Sequence, residues 1–426
     1  MAAKHKAAGR VIFVNRFFYP DHSATSQMLS DLAFALAKEG FDITVVTSRL
    51  RYDDAKAKLP ARETIDGVNV RRIWTTSFGR GNLLLRAFDY LTFYLSVLFV
   101  LLRMCRKSDV VVAKTDPPML GVVVAAVCAL RGSKLINWLQ DVFPEVAAEL
   151  GMMKKGGLAF RVLKRLRDWS LRRAGSNVVL GKRMAEYVQS CGIDEAAISI
   201  IPNWADGEAI KPIAREDNPL REEWGLGDKF VVGYSGNLGR AHDWESIFHC
   251  ALRHRTDDRV MFLIVGGGAG FDAMNAAVKR EGLANVLFHA YQPRSRLGAV
   301  LTLPDVHITS LHPKLDAAVF PSKFYGVLAA GRAFIHLGGD RSEICERAAC
   351  DECGWISRFG DGPGLAAIIE EIIARRSELQ RRGIAARVSF ERDCTLAIAA
   401  VRWQKCITQS LRLGWQSSAE PKGIAS

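Results

Sequence analysis

At 426 residues the chain is longer than one hydrophobic core usually serves, so two domains of roughly 200 residues are expected. Hydrophobic residues at 49% and charged residues at 24% exclude a disordered chain, and a net charge of +13 calls for acidic partners: nucleic acid, an anionic membrane surface or phosphorylated substrates. Nine cysteines lie scattered through the chain, and Cys350 with Cys353 is the one Cys-x-x-Cys pair, which fits a reducing cytosolic setting and falls short of a structural zinc site.

The opening, 1–10, is basic and polar, has no apolar signal region and runs straight into an apolar strand over 11–15. A loop, 16–26, precedes a helical pattern over 27–38 that Gly40 caps, and 43–47 is the next strand. A β-α-β unit of this kind places its first loop at the carboxyl edge of a parallel sheet, where ligands bind. Asp21, His22, Ser23, Ala24 and Thr25 are therefore candidates to face a ligand; a polar loop with capping residues is the alternative.

After a strand over 68–73 comes the most apolar stretch, 88–102, with Phe88, Tyr90, Phe93, Tyr94 and Phe99 between the basic flanks Arg80, Arg86 and Arg103, Arg106, Lys107. It is shorter than the roughly 20 apolar residues of a membrane span and contains Asp89, which argues against spanning. It suits a helix lying in a bilayer interface over 88–107, or one buried in a core. Strands over 109–114 and 134–139 flank a helix over 120–130, and the second strand delivers Asp141 to the sheet edge, for chemistry or as a helix cap. The stretch 154–173 carries Lys154, Lys155, Arg161, Lys164, Arg165, Arg167, Arg172 and Arg173, a basic helix for an anionic membrane surface or a solvated face.

Short strands over 177–180 and 199–201 close the first half, and the charged, Pro-bearing stretch 206–227 reads as a linker, so a first domain of 1–210 is expected. Strands over 230–234, 260–265, 286–289, 306–309 and 334–337, separated by helical stretches, make a second doubly wound sheet in a domain of 211–393. Gly236 with Asn237, and Gly266, Gly267 and Gly268, stand at two strand ends, where glycine lets a diphosphate-like ligand approach the backbone. At 320–331, Pro321 and Ser322 predict a helix whose N-terminus, with Lys323 in its first turn, forms a phosphate site; an ordinary helix start is the alternative. A helix over 365–379, a last helix over 394–416 and a disordered tail, 417–426, complete the chain.

These residues resemble the GT-B glycosyltransferases of family 4: Gly236-Asn237-Leu238-Gly239 after a strand, the run Phe262 to Gly268, and Pro321-Ser322-Lys323 opening a helix. Trp138-Leu139-Gln140-Asp141 with Pro144-Glu145 is similar to the branch that builds bacterial O-antigen, capsule and exopolysaccharide. The resemblance implies two Rossmann-like domains facing a cleft, with the last helix crossing back to the first. It implies a nucleotide-diphosphate sugar as donor, held by the second domain, and a lipid-linked acceptor, a polyprenyl diphosphate saccharide, held by the first at the inner face of the cytoplasmic membrane. Lys323, Arg240 and the Ser322 region would contact the diphosphate; Tyr291, Pro293, Phe324, Tyr325 and Glu343 would complete the donor site. Asp141 and the loop from Asp21 to Thr25 would face sugar and acceptor.

Two departures stand out. The family's paired glutamates fall on Ala318 and Gly326, and its basic pair in the second domain's first loop on Asn237 and His242. No Asp-x-Asp pair for a divalent cation occurs, so no cofactor and no metal are expected, and retention is carried over from the family. A UDP-sugar epimerase of the same fold and a noncatalytic binder remain as rivals. A dinucleotide oxidoreductase lacks its Gly-x-Gly-x-x-Gly, and no nucleic-acid motif accompanies the charge.

Overall fold

The computed structural model describes residues 9–416 apart from 22, 53, 55, 56 and 79–82. His22, Arg80 and the tail 417–426 thus lie outside the described residues. The chain divides into two compact units, one running to Pro202 and resuming at Leu396, the other spanning Asn203–Thr395.

Unit 1 is built on eight strands: β1 (Val11–Val14), β2 (Ile43–Ser48), β3 (Arg62–Ile65), β4 (Val68–Ile73), β5 (Val110–Lys114), β6 (Lys134–Trp138), β7 (Ser176–Val179) and β8 (Ile198–Ile200). Their order is β3-β4-β2-β1-β5-β6-β7-β8, parallel except for β3, which pairs antiparallel with β4. The central strands are buried along their whole length, the pattern of a sheet covered on both faces. Helices α1 (Ala24–Lys38), α2 (Leu83–Met104), α3 (Leu120–Arg131), α4 (Glu145–Glu149), α5 (Leu158–Arg173) and α6 (Lys182–Ser190) connect them. Strand order reverses at β1, so the loops after β1 and β5 lie side by side at the carboxyl edge, with the Arg16 N–H donating to the Asp116 carbonyl at 2.8 Å.

In unit 2 the strands are β9 (Phe230–Asn237), β10 (Val260–Gly267), β11 (Val286–His289), β12 (Val306–Ser310), β13 (Phe334–Gly338) and β14 (Gly354–Arg358), in the order β11-β10-β9-β12-β13-β14 and all parallel. Its helices are α7 (Leu220–Glu223), α8 (Trp244–Arg253), α9 (Ala269–Glu281), α10 (Leu297–Thr302), α11 (Lys323–Ala329), α12 (Glu343–Cys350), α13 (Gly362–Ala374) and α14 (Arg376–Asp393). Here the reversal falls between β9 and β12, and the His312 N–H donates across it to the Ala241 carbonyl at 2.8 Å.

The last helix, α15 (Leu396–Gln416), belongs to unit 1. Its Trp403 is fully buried, edge-on to Trp138 with centroids 4.7 Å apart and to Phe13 at 6.3 Å.

Several boundaries differ from the sequence reading. The stretch read as a linker, 206–227, is integral to unit 2: Ile210, Leu220 and Leu226 are buried, Asn218 donates to the Ala299 carbonyl at 2.8 Å, and Arg215 pairs with Asp305 at 2.7 Å. Arg215 and Arg221 are spent on contacts within unit 2, so unit 1 ends at Pro202 rather than near 210. The helix read from 394 starts at Leu396, because Cys394 still closes α14 by donating to the Phe390 carbonyl.

Helix α2 has 22 residues, so length alone does not exclude a span. It lies on the sheet through Phe93, Val97 and Leu101, and its Asp89 is buried, accepting from Thr76 at 2.7 Å and from the Phe78 N–H at 3.0 Å. Its opposite face, Leu84, Phe88, Leu91, Leu95 and Phe99, is exposed. The core reading holds for one face of this helix, and the other face is exposed and apolar. The basic stretch 154–173 is corrected in part. Its helix begins at Leu158, Arg167 is interior, and Lys164 is paired with Asp168 at 2.8 Å; Arg161, Arg165, Arg172 and Arg173 remain exposed.

Candidate functional site

The parallel sheet of unit 2 brings the ends of β9 and β10 into contact at its carboxyl edge. Gly266 has φ +141°, and a Cβ there would lie 2.1 Å from the Gly236 carbonyl oxygen. Gly268 has φ +115°, and its Cβ would meet the Asn237 side-chain oxygen at 2.3 Å. Only glycine permits this backbone packing. Tyr291, after β11, is 62% exposed and rests against Gly267, and Pro293 is exposed beside it. Glu343 occupies the first turn of α12, just past β13.

Lys323 reaches into this edge from the start of α11. Its ammonium donates to the Tyr234 hydroxyl and to the Asn237 carbonyl (3.3 Å), and lies 3.9 Å from the centroid of the Tyr234 ring. Among the described residues no carboxylate pairs with it. Burial pushes its pKa down from 10.5 to about 7. His242 supplies no charge here: its Nδ1 bonds the Ser310 carbonyl at 2.5 Å, and burial, reinforced by Lys323, lowers its pKa to about 3. Arg240 stands exposed at the end of the same loop. Asp243 fixes the loop, accepting from the Ser246 and Gly360 N–H groups at 2.9 and 2.6 Å.

Two expectations fail at α11. It has only seven residues, and the Ser322 side chain caps nothing, so the attraction for an anion rests on Lys323 rather than on a capped helix end. Phe324 and Tyr325 are buried among Phe334, Ile344 and Phe390 and face the core, not a donor.

Unit 1 gathers a second polar cluster at its reversal point. Asp141 has a buried, unbonded Oδ1, and its pKa is raised to about 6 by burial, with Thr115 opposing and Asp116 adding repulsion. Asp116 accepts from the Thr25 hydroxyl at 3.0 Å, and burial raises its pKa too. Lys114, 1% exposed, donates to the Thr25 carbonyl at 2.9 Å and sits 3.8 Å from the centroid of the Trp138 ring. Sequence reasoning missed Lys114 and Asp116 as site residues. The signal was there: Lys114 closes the otherwise apolar run of β5, and Asp116 follows in the loop after it.

Asp21 is corrected: it is buried, and both oxygens are used, accepting from the Ser23 N–H at 2.8 Å and from the Tyr52 N–H. It shapes the loop rather than facing an acceptor. Helix α1 begins at Ala24, which puts exposed Ala24 and half-buried Thr25 in its first turn and Ser23 at its cap position, making no capping bond.

Residues 24–204 match the glycosyl transferase 4-like domain. Relatives include the Pseudomonas aeruginosa protein named as glycosyltransferase WbjE, 27% identical over 307 residues that cover 71% of this chain and 75% of the relative. The Escherichia coli K12 colanic acid biosynthesis glycosyl transferase WcaI is 28% identical over 249 residues, 54% of this chain and 60% of its own. Among solved structures, Anabaena Alr3699/HepE in complex with UDP superposes with a TM-score of 0.70 at 14% identity, covering 94% of this chain and all of that one.

The chain is a glycosyltransferase: residues 24–204 form a glycosyl transferase 4-like domain, and its two parallel-sheet units take the GT-B fold. Within this glycosyltransferase the two positions that the resemblance assigns to paired glutamates, 318 and 326, hold small buried residues. Ala318 is 6% exposed, and a Cβ on Gly326 would lie 3.0 Å from Leu301. A carboxylate at 326 would be driven into that apolar contact.

Replacing Gly266 by Ala is expected to destabilise the transferase by at least about 2 kcal/mol more than Gly282→Ala, since both have positive φ but Gly282 has open space where its Cβ would go. Urea unfolding of the two variants checks this, and equal losses would contradict the close packing of the β9 and β10 ends.

Proposed function

We propose that this glycosyltransferase moves a sugar from a UDP-linked donor to a lipid-linked saccharide in bacterial surface polysaccharide assembly, with retention and without a metal. The observation that carries the donor reading is Lys323, a desolvated ammonium with no carboxylate beside it at the glycine-built edge of unit 2. A diphosphate supplies the missing counter-charge. UDP is favoured because HepE is named as a UDP complex, and polysaccharide assembly because WcaI is named for colanic acid biosynthesis.

In this reading Lys323 and Arg240 hold the diphosphate, and as the anomeric carbon–oxygen bond breaks they stabilise the charge gathering on the leaving phosphate. The acceptor hydroxyl forms the new bond to the anomeric carbon. Asp141, with a pKa of about 6 and one unbonded oxygen, is ionised at neutral pH and takes the hydroxyl proton. The lipid character of the acceptor rests on one outer layer of unit 1. Helix α3 packs against both α2 and α5, so the exposed stripe of α2 and the exposed Leu158, Val162, Leu166, Arg161 and Arg165 of α5 border one helical face.

Calorimetry against UDP, GDP, ADP and dTDP is expected to give selective binding of UDP with or without Mg²⁺. Lys323→Ala is expected to weaken UDP binding about 10- to 100-fold, the loss of one or two charge-assisted hydrogen bonds, without lowering thermal stability. Diphosphate binding raises the pKa of Lys323 above its free value of about 7, so the complex takes up a proton. Affinity therefore falls as pH rises above about 7, and an affinity flat across that range would remove Lys323 from the site.

Asp141→Asn is expected to lower kcat by about 10²-fold or more with UDP affinity unchanged, measured by sugar transfer to lipid acceptor in membrane extracts. Undiminished transfer would acquit Asp141, and conversion of the UDP-sugar without acceptor would favour an epimerase.

A further inference from the structure

Away from both clusters, unit 1 carries an open pocket of about 570 Å³ between the antiparallel pair β3–β4 and α2. Arg62 on β3, Arg71 on β4 and Arg103 on α2 line it, with Trp74 and Phe99. Arg62 and Arg71 are directly opposite one another in the register, and like charges so placed oppose strand pairing. Burial, and then repulsion from Arg62 and Arg103, lowers the pKa of Arg71. Among the described residues no carboxylate pairs with any of the three. The neighbouring acid, Glu63, is taken by Arg72.

Three guanidiniums converging without a counter-ion match an anion of more than one charge, and their planar donor forks match phosphate oxygens. The rim is apolar. Trp74 is 65% exposed and Phe99 55%, and Phe99 continues the exposed stripe of Leu84, Phe88, Leu91 and Leu95 along α2.

We propose that this pocket binds the phosphate headgroup of a lipid bearing at least two negative charges, with the lipid chains lying against the α2 stripe. The proposal rests on the reading that this face meets a membrane, and adds to it a site selective for headgroup chemistry rather than for surface charge alone.

The test is co-sedimentation of the full chain with phosphatidylcholine vesicles containing either phosphatidic acid or phosphatidylglycerol, matched for surface charge. The wild type is expected to bind the phosphatidic acid vesicles about tenfold more tightly. A variant combining Arg62→Gln, Arg71→Gln and Arg103→Gln is expected to lose that preference while keeping its folding temperature and UDP affinity. A control with Arg161→Gln, Arg165→Gln and Arg172→Gln on α5 is expected to weaken both vesicles equally and keep the preference. Equal binding by the wild type, or a preference that survives the pocket variant, overturns the proposal, as does micromolar binding of free pyrophosphate without any vesicle preference. Absence of all vesicle binding at low salt overturns the membrane reading and this proposal together, whereas vesicle binding without preference overturns the pocket alone.

Discussion

The half-buried ammonium of Lys323 is held against the ring and hydroxyl of Tyr234 and one backbone carbonyl, with no carboxylate at hand among the described residues. Burying a charge without a counter-charge is unfavourable, and the protein meets the strain by letting the pKa slide to about 7. The surroundings forbid any simpler relief. His242 is held neutral by burial and by Lys323 itself, against its bond to the Ser310 carbonyl, and Asp243, the nearest acid in the loop sequence, has its oxygens committed to Ser246 and Gly360. What remains is a cation of lowered pKa beside backbone that only glycine can line, and in the proposed reading a phosphate oxygen resolves it.

The two units solve the same placement problem with different chemistry. In each, reversal of strand order opens a gap between neighbouring loops at the carboxyl edge. Unit 2 fills its gap with glycines and a cation. Unit 1 fills its gap with carboxyl groups, Asp116 and Asp141, balanced by buried Lys114. The first set suits an anionic donor, the second a hydroxyl that must lose a proton. This division is the physical content behind the proposed transfer.

Much of the fold was legible because parallel strands buried on both faces leave long apolar runs that polar residues do not interrupt. Strand β3 escaped notice because an edge strand reading Arg-Glu-Thr-Ile, half exposed, has no such run. Residues 206–227 misled because charge and proline look alike in a linker and in a segment whose polar groups are bonded inside a domain. In the site, Lys323 and the glycines could be found from strand ends and helix starts. Phe324 and Tyr325 could not be separated from them, since adjacent residues of a motif point to different sides of a helix, and spacing alone does not say which side is core. Asp21 was misplaced for a related reason: a carboxylate that shapes a loop and one that awaits a ligand look the same until their hydrogen bonds are counted.

The account stands on Lys323 being largely neutral in the free protein above pH 7 and charged once a nucleotide diphosphate is bound. Calorimetric titration with UDP near pH 8, repeated in buffers of different ionisation enthalpy, counts the protons exchanged on binding. Uptake of close to one proton per UDP, absent in Lys323→Met, is the predicted result. Tight UDP binding by the wild type with no proton uptake would contradict it.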